Sequence, residues 1–171
     1  MKKLSITLLL VIVLLVVTPV VAFAQNLSFQ VDQEFVVVYV NPDGTVDIDY
    51  EIFFSNDAGA DPIDFVDLGL PNTTYRITDI FAEIGGTQIT DIENSPFVQG
   101  IAVGLGANAI QPGQSGRLRI FVPGIRNMFF EDSTDPNYAS VQFQKNWFGS
   151  EFVSGASDVS VTFVLPPGMQ P

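Results

Sequence analysis

Period-two alternation of apolar and polar residues is clearest over residues 45–54: Val46, Ile48, Tyr50, Ile52 and Phe54 fall on one side, and Thr45, Asp47, Asp49 and Glu51 on the other. A period of two is the pleat of a β-strand, so this segment is predicted as a strand with one apolar and one wet face. Residues 35–40 before it are mostly β-branched or aromatic. The intervening Asn41-Pro42-Asp43-Gly44 has the chemistry of a tight turn: proline presets φ, aspartate bonds locally, and glycine accepts a positive φ. The two segments are predicted to form a hairpin.

The same writing recurs at short, regular spacing. Residues 63–70, 75–84, 87–92 (after a Gly85-Gly86 turn), 97–103, 117–122 (after Pro112-Gly113), 139–143 and 159–165 each read as a strand. Nowhere past residue 24 is a 3.6-residue period sustained. About nine strands without a helix predict an all-β fold, an antiparallel two-sheet sandwich of the immunoglobulin-like kind, with a closed barrel as the alternative.

The first 24 residues are written differently. Lys2 and Lys3 precede an apolar run from Leu4 to Val17, and Ala22-Phe23-Ala24 is a small-x-small cleavage site. This reads as a signal peptide, a hydrophobic helix removed on export, with residues 25–171 forming one sandwich domain. An uncleaved anchor is the rival reading. The chain has no cysteine for lipid attachment and no twin arginine, so the general export route to the cell envelope or exterior is expected.

Composition narrows the function. The formal net charge is −12, and it becomes more negative once the two leading lysines are lost. Only Arg76, Arg117, Arg119, Arg126 and Lys145 then face nineteen acids, so binding to nucleic acid or an anionic bilayer is not expected. With neither histidine nor cysteine, the chain cannot build a Ser-His-Asp or Cys-His site or an ordinary zinc site. Carboxylate chemistry stays open, as in a glycoside hydrolase using Asp47, Asp49 and Glu51, but residues two apart on an open strand lack the water-poor cleft that raises one pKa. The expectation is a non-enzymatic module.

Several motifs dissolve on inspection. Residues 41–47 resemble the middle of a calcium loop, yet Tyr39 and Tyr50 stand where the first and last ligands belong. Gly104-Leu105-Gly106 lacks the helix that a dinucleotide site requires. Leu165-Pro166-Pro167-Gly168 lacks the threonine of a wall-sorting signal. Asn26-Leu27-Ser28 and Asn72-Thr73-Thr74 fit the N-glycosylation pattern.

Two features are left to carry binding. Asp43, Asp47, Asp49, Asp57 and Asp61 cluster around the early strands, and oxygens from neighbouring loops would suit calcium, the one cofactor considered. Phe129-Phe130 and Trp147-Phe148 fall in predicted loops and are candidates for contacting a protein or glycan partner; packing at the open ends of the sandwich is the competing role, and all four are expected to be mostly buried there.

The export signal, the Val40-to-Ile48 hairpin, Ile110-Gln111-Pro112-Gly113, Trp147-Phe148 and the final Val159-to-Pro166 run together resemble the N-terminal ectodomain of uncharacterised bacterial exported or membrane-anchored proteins. The resemblance implies a β-sandwich at the envelope, in a group whose members often continue into further domains or a membrane segment. This chain stops at Pro171, where linker-like composition begins, so a missing C-terminal anchor is a second route to the membrane.

Overall fold

The structure is a computed structural model that describes residues 26–135, 137–150 and 152–169. The signal segment lies outside the described residues.

The fold is the all-β two-sheet sandwich that the alternation predicts. Eleven strands run in the order β1 (Phe29–Val40), β2 (Val46–Asn56), β3 (Phe65–Gly69), β4 (Phe81–Ile84), β5 (Thr87–Ile89), β6 (Ile92–Asn94), β7 (Gly100–Gly104), β8 (Ser115–Ile125), β9 (Phe129–Glu131), β10 (Ala139–Val141) and β11 (Asp158–Val164). The larger sheet has the order β11-β1-β2-β8-β4-β5, the smaller β3-β7-β6, and β9 and β10 form a separate two-stranded hairpin.

The predicted hairpin is β1–β2, paired antiparallel from Phe29 opposite Asn56 to Val40 opposite Val46, with one bulge between Val31 and Gln33. Its turn closes as the sequence requires: Gly44 adopts φ +81°, and its N–H donates to the Asn41 carbonyl at 3.0 Å. The inward row of β2 (Val46, Ile48, Tyr50, Ile52, Phe54) is fully buried and meets Leu118, Ile120 and Val122 of β8, and Leu68, Ile101 and Val103 of the smaller sheet belong to the same core. The outward row is charged and paired, Asp49 with Arg119 and Glu51 with Arg117.

Four expectations need correction. There are eleven strands among the described residues rather than about nine. The segment 87–92 is split, because β5 ends at Ile89 in the larger sheet while β6 begins at Ile92 in the smaller one. Residues 77–79 form a short 3-10 turn, so the strand predicted over 75–84 shrinks to β4. The last strand, β11, runs parallel to β1, from Asp158 opposite Gln33 to Val164 opposite Tyr39. A parallel neighbour needs a long crossover, and the 32 residues between β8 and β11 supply it, carrying the β9–β10 hairpin and an irregular stretch, residues 142–150, along the side of the sandwich.

Candidate functional site

The five candidate carboxylates do not converge. Asp43 caps the β1–β2 turn, where its Oδ1 accepts the Thr45 hydroxyl at 2.7 Å and the Thr45 N–H at 3.0 Å; these bonds hold its pKa below the ordinary 3.8. Asp47 Oδ1 accepts the Gly124 N–H at 2.8 Å. Asp49 forms a two-pronged pair with Arg119, at 3.0 and 2.7 Å. Asp57 and Asp61 lie beyond the other end of β2, roughly 30 Å away along an 11-residue strand, bonded to Ser28 (2.5 Å) and to the Asn26 N–H (2.7 Å). Each serves a turn, a loop or a cross-strand pair. Among the described residues no group of three or more acids is placed to hold a metal ion.

Each aromatic pair divides, one member inward and one outward. In a strand such as β9 successive side chains point to opposite sides, so neighbours cannot both face the core. Phe148 turns inward and completes a trio of edge-to-face rings with Phe54 (5.5 Å) and Phe29 (6.0 Å), sealing one end of the sandwich. Its neighbour Trp147 is 69% exposed. In β9, Phe129 packs against the core while Phe130 is 51% exposed. The expectation that all four are mostly buried therefore fails at Trp147 and Phe130.

Trp147 borders an apolar groove of about 330 Å³. Phe29, Phe54, Ile63, Val66 and Phe148 line it together with Phe65, Phe97, Phe152 and a single acid, Asp67. Phe97, expected inside a strand, instead stands 77% exposed on the β6–β7 turn, where Ser95 Oγ accepts the N–H groups of Phe97 and Val98 at 3.0 and 3.1 Å. The groove continues past Trp147 and Val98 into a second recess of about 340 Å³, beside Gly69, Leu70, Lys145 and Asn146.

Lys145 fixes one wall. Its Nζ donates to Glu34 Oε2 at 2.9 Å and to the Asn146 carbonyl at 3.1 Å, and sits 4.3 Å from the centroid of the Trp147 ring. Glu34 occupies the inward row of β1, and burial raises its pKa above the ordinary 4.5 against the opposing pull of Lys145. Burial also raises Tyr50, with the Glu34 charge adding to the effect. Asn146 is 3% exposed; its Oδ1 accepts the Gly69 N–H at 2.7 Å, while its Nδ2 is buried without a partner. Asp67 Oδ1 is likewise buried and unpartnered. Sequence reasoning had no signal for Asn146 or Lys145 as wall residues, because their partners lie 77 and 111 positions away. For Phe97, the preceding Ser95-Pro96 was a legible turn signal.

The groove is thus an open, aromatic-walled site with one acid, and with the adjoining recess it holds two buried polar atoms without a partner, Asp67 Oδ1 and Asn146 Nδ2; it is suited to binding and poor in groups for catalysis. No protein-family profile matches the chain, nor does any curated protein. Among solved structures it is similar to an M1 zinc metallopeptidase from Deinococcus radiodurans, at 14% identity and a TM-score of 0.49, over 84% of this chain and 34% of that one. A point mutant of that enzyme bound to a Tyr-Ser-Ala substrate aligns at 16% identity over 81% of this chain and 33% of the other, again with a TM-score of 0.49. This chain therefore spans about a third of the length of the structures it resembles.

Proposed function

We propose that this chain is an exported, non-enzymatic β-sandwich module of the cell envelope or exterior that binds a protein partner. The observation that carries the reading is the groove under Trp147. Exposed aromatics around a preformed apolar recess of this size are the usual make-up of a binding site, and four of them (Phe65, Phe97, Trp147 and Phe152) gather at one end of the molecule. Against catalysis stands the chemistry of the lining: its lone carboxylate has no second carboxyl group to complete a glycosidase-type pair, and the chain has no histidine or cysteine to assist it.

A glycan is the second reading, favoured by the exposed Trp147 indole, on which a sugar ring would stack. A sugar also needs several side chains to bond its hydroxyls. Asp67 alone lines the groove in that capacity, which favours a protein partner.

The test is photocrosslinking in the producing cells. A benzophenone amino acid replacing Phe97 should give discrete protein adducts, whereas the same group replacing the exposed Gln88 on β5 should give none. Absence of protein adducts from position 97, or identical adducts from both positions, would overturn the reading.

A further inference from the structure

The groove follows an unpaired sheet edge, and that edge identifies the kind of partner. The smaller sheet has β3 at one border. In the β3–β7 ladder, the Leu70 N–H donates to the Gln99 carbonyl, and the Leu105 N–H donates to the Asp64 carbonyl. The register Val66 opposite Val103 and Leu68 opposite Ile101 keeps the same parity, so the even-numbered residues turn their backbone toward β7. Phe65, Asp67 and Gly69 turn theirs the other way, toward the groove.

The Gly69 N–H is already met there by Asn146 Oδ1, a side-chain amide standing where the carbonyl of a neighbouring strand would lie. The edge-facing backbone groups of Phe65 and Asp67 have no partner among the described residues. An edge of this kind is a template for a further strand.

Resting on the proposed binding role, we infer that the partner enters as an extended peptide that adds to the β3 edge, its side chains alternately apolar and basic. Alternation follows from the pleat. Side chains beside Val66 point inward, onto Phe54, Ile63 and Phe148, and must be apolar. Those beside Asp67 share its outward face and meet its carboxylate, which lines the groove and also, together with Asp64, Asp91 and Glu93, the adjoining recess. Opposite charges directly across a strand pair stabilise it, and like charges oppose it. A second copy of this chain suits the edge poorly. Four of its basic residues, Arg76, Arg117, Arg119 and Lys145, are already paired with acids.

The probe is a capped hexapeptide alternating lysine with valine or phenylalanine, titrated into the purified whole protein. The single tryptophan reports directly, since Trp147 stands at the groove mouth. The expected result is a Trp147 emission shift to shorter wavelength and slowed exchange of the Phe65 and Asp67 amides. The same peptide with glutamate for lysine should bind at least tenfold more weakly, and Asp67→Asn should remove most of that preference.

Backbone pairing has its own signature. N-methylating one alternate set of peptide amides should abolish binding, and methylating the other set should leave it intact. Equal affinity for the lysine and glutamate peptides, or equal effects of both methylated sets, would overturn the inference. Adducts from position 97 without binding of any peptide would sink the strand partner alone and leave the binding role standing; a position 97 that captures nothing sinks that role itself.

Discussion

Lys145 Nζ lies 2.9 Å from Glu34 Oε2, joining an irregular segment late in the chain to the inward row of the first strand across 111 positions. The same ammonium sits over the Trp147 ring, so one cation both neutralises a core carboxylate and holds the exposed indole at the groove mouth. Buried pairs are costly to assemble and costlier to break, because the remaining charge is stranded in low dielectric.

Replacing Lys145 by methionine should therefore cost about 3 kcal/mol near neutral pH. Part of that loss should return on acidification, when the stranded Glu34 takes up a proton. Urea unfolding of wild type and Lys145→Met at pH 7 and pH 5 measures both effects, and a loss independent of pH would contradict the role given to the Glu34 charge.

The Glu34 pKa is raised in the folded protein, so its protonated form is the one folding favours. Its contribution to stability is fully present below 4.5, the unfolded value, and is lost as pH rises through the higher folded value. Asp43, and Asp132, whose Oδ1 accepts the Thr134 and Asp135 N–H groups, have pKa values lowered by these hydrogen bonds and act in the opposite sense, contributing above 3.8 and losing that contribution as pH falls through their folded values. Glu34→Gln should flatten the decline above 4.5 in a pH series of unfolding midpoints and leave the acid limb unchanged.

Phe148 and Trp147 are neighbours with opposite duties. Phe148→Ala removes a ring from the trio with Phe29 and Phe54 and should cost about 3 kcal/mol through the cavity it leaves. Trp147→Ala forfeits one exposed cation–π contact and should cost less than about 1 kcal/mol. Denaturant midpoints of the two variants compare them directly; a Trp147→Ala loss equal to that of Phe148→Ala would mean that the indole is structural.

Gly100 faces Gly69 across the β3–β7 ladder, and a Cβ at position 100 would lie 1.9 Å from the Leu68 carbonyl oxygen. Gly100→Ala should force the strands apart, at a cost of about 1–3 kcal/mol. Amide exchange should accelerate first at Leu68, nearest the clash, while β1–β2 amides keep their protection.

On the wet face, Arg119 grips Asp49 with two nitrogens. Lysine cannot reproduce that fork, so Arg119→Lys should lower stability by about 0.5 kcal/mol, a deficit that shrinks in 1 M salt as exposed charges are screened. A deficit unchanged by salt would point to lost packing of the longer side chain instead.

Local chemistry made much of the fold legible. The Asn41–Gly44 turn fixes the register of its own hairpin, and the period-two rows of β2 and β8 announce which face is wet, because side-chain direction in a strand is set by parity alone. The breaks were harder to read. Residues 87–92 keep strand-like writing across Thr90-Asp91, yet the chain changes sheets there, since β5 pairs with β4 and β6 with β7, and the sheet each partner belongs to decides where a strand ends. The Trp147-Phe148 pair was visible as a site candidate, but only one member packs inward, and which one depends on the location of Phe29 and Phe54.

What the sequence determined by itself is the β-strand character, the first hairpin and the lack of histidine and cysteine chemistry, each a matter of neighbouring residues or of composition. The tertiary structure alone decided that β11 lies parallel to β1, that the five aspartates serve turns, loops and a cross-strand pair, and that the edge of β3 is left unpaired beneath Trp147. Those outcomes depend on contacts between residues tens of positions apart, where loop closure, sheet order and the placement of one crossover choose among arrangements that local patterning leaves equivalent.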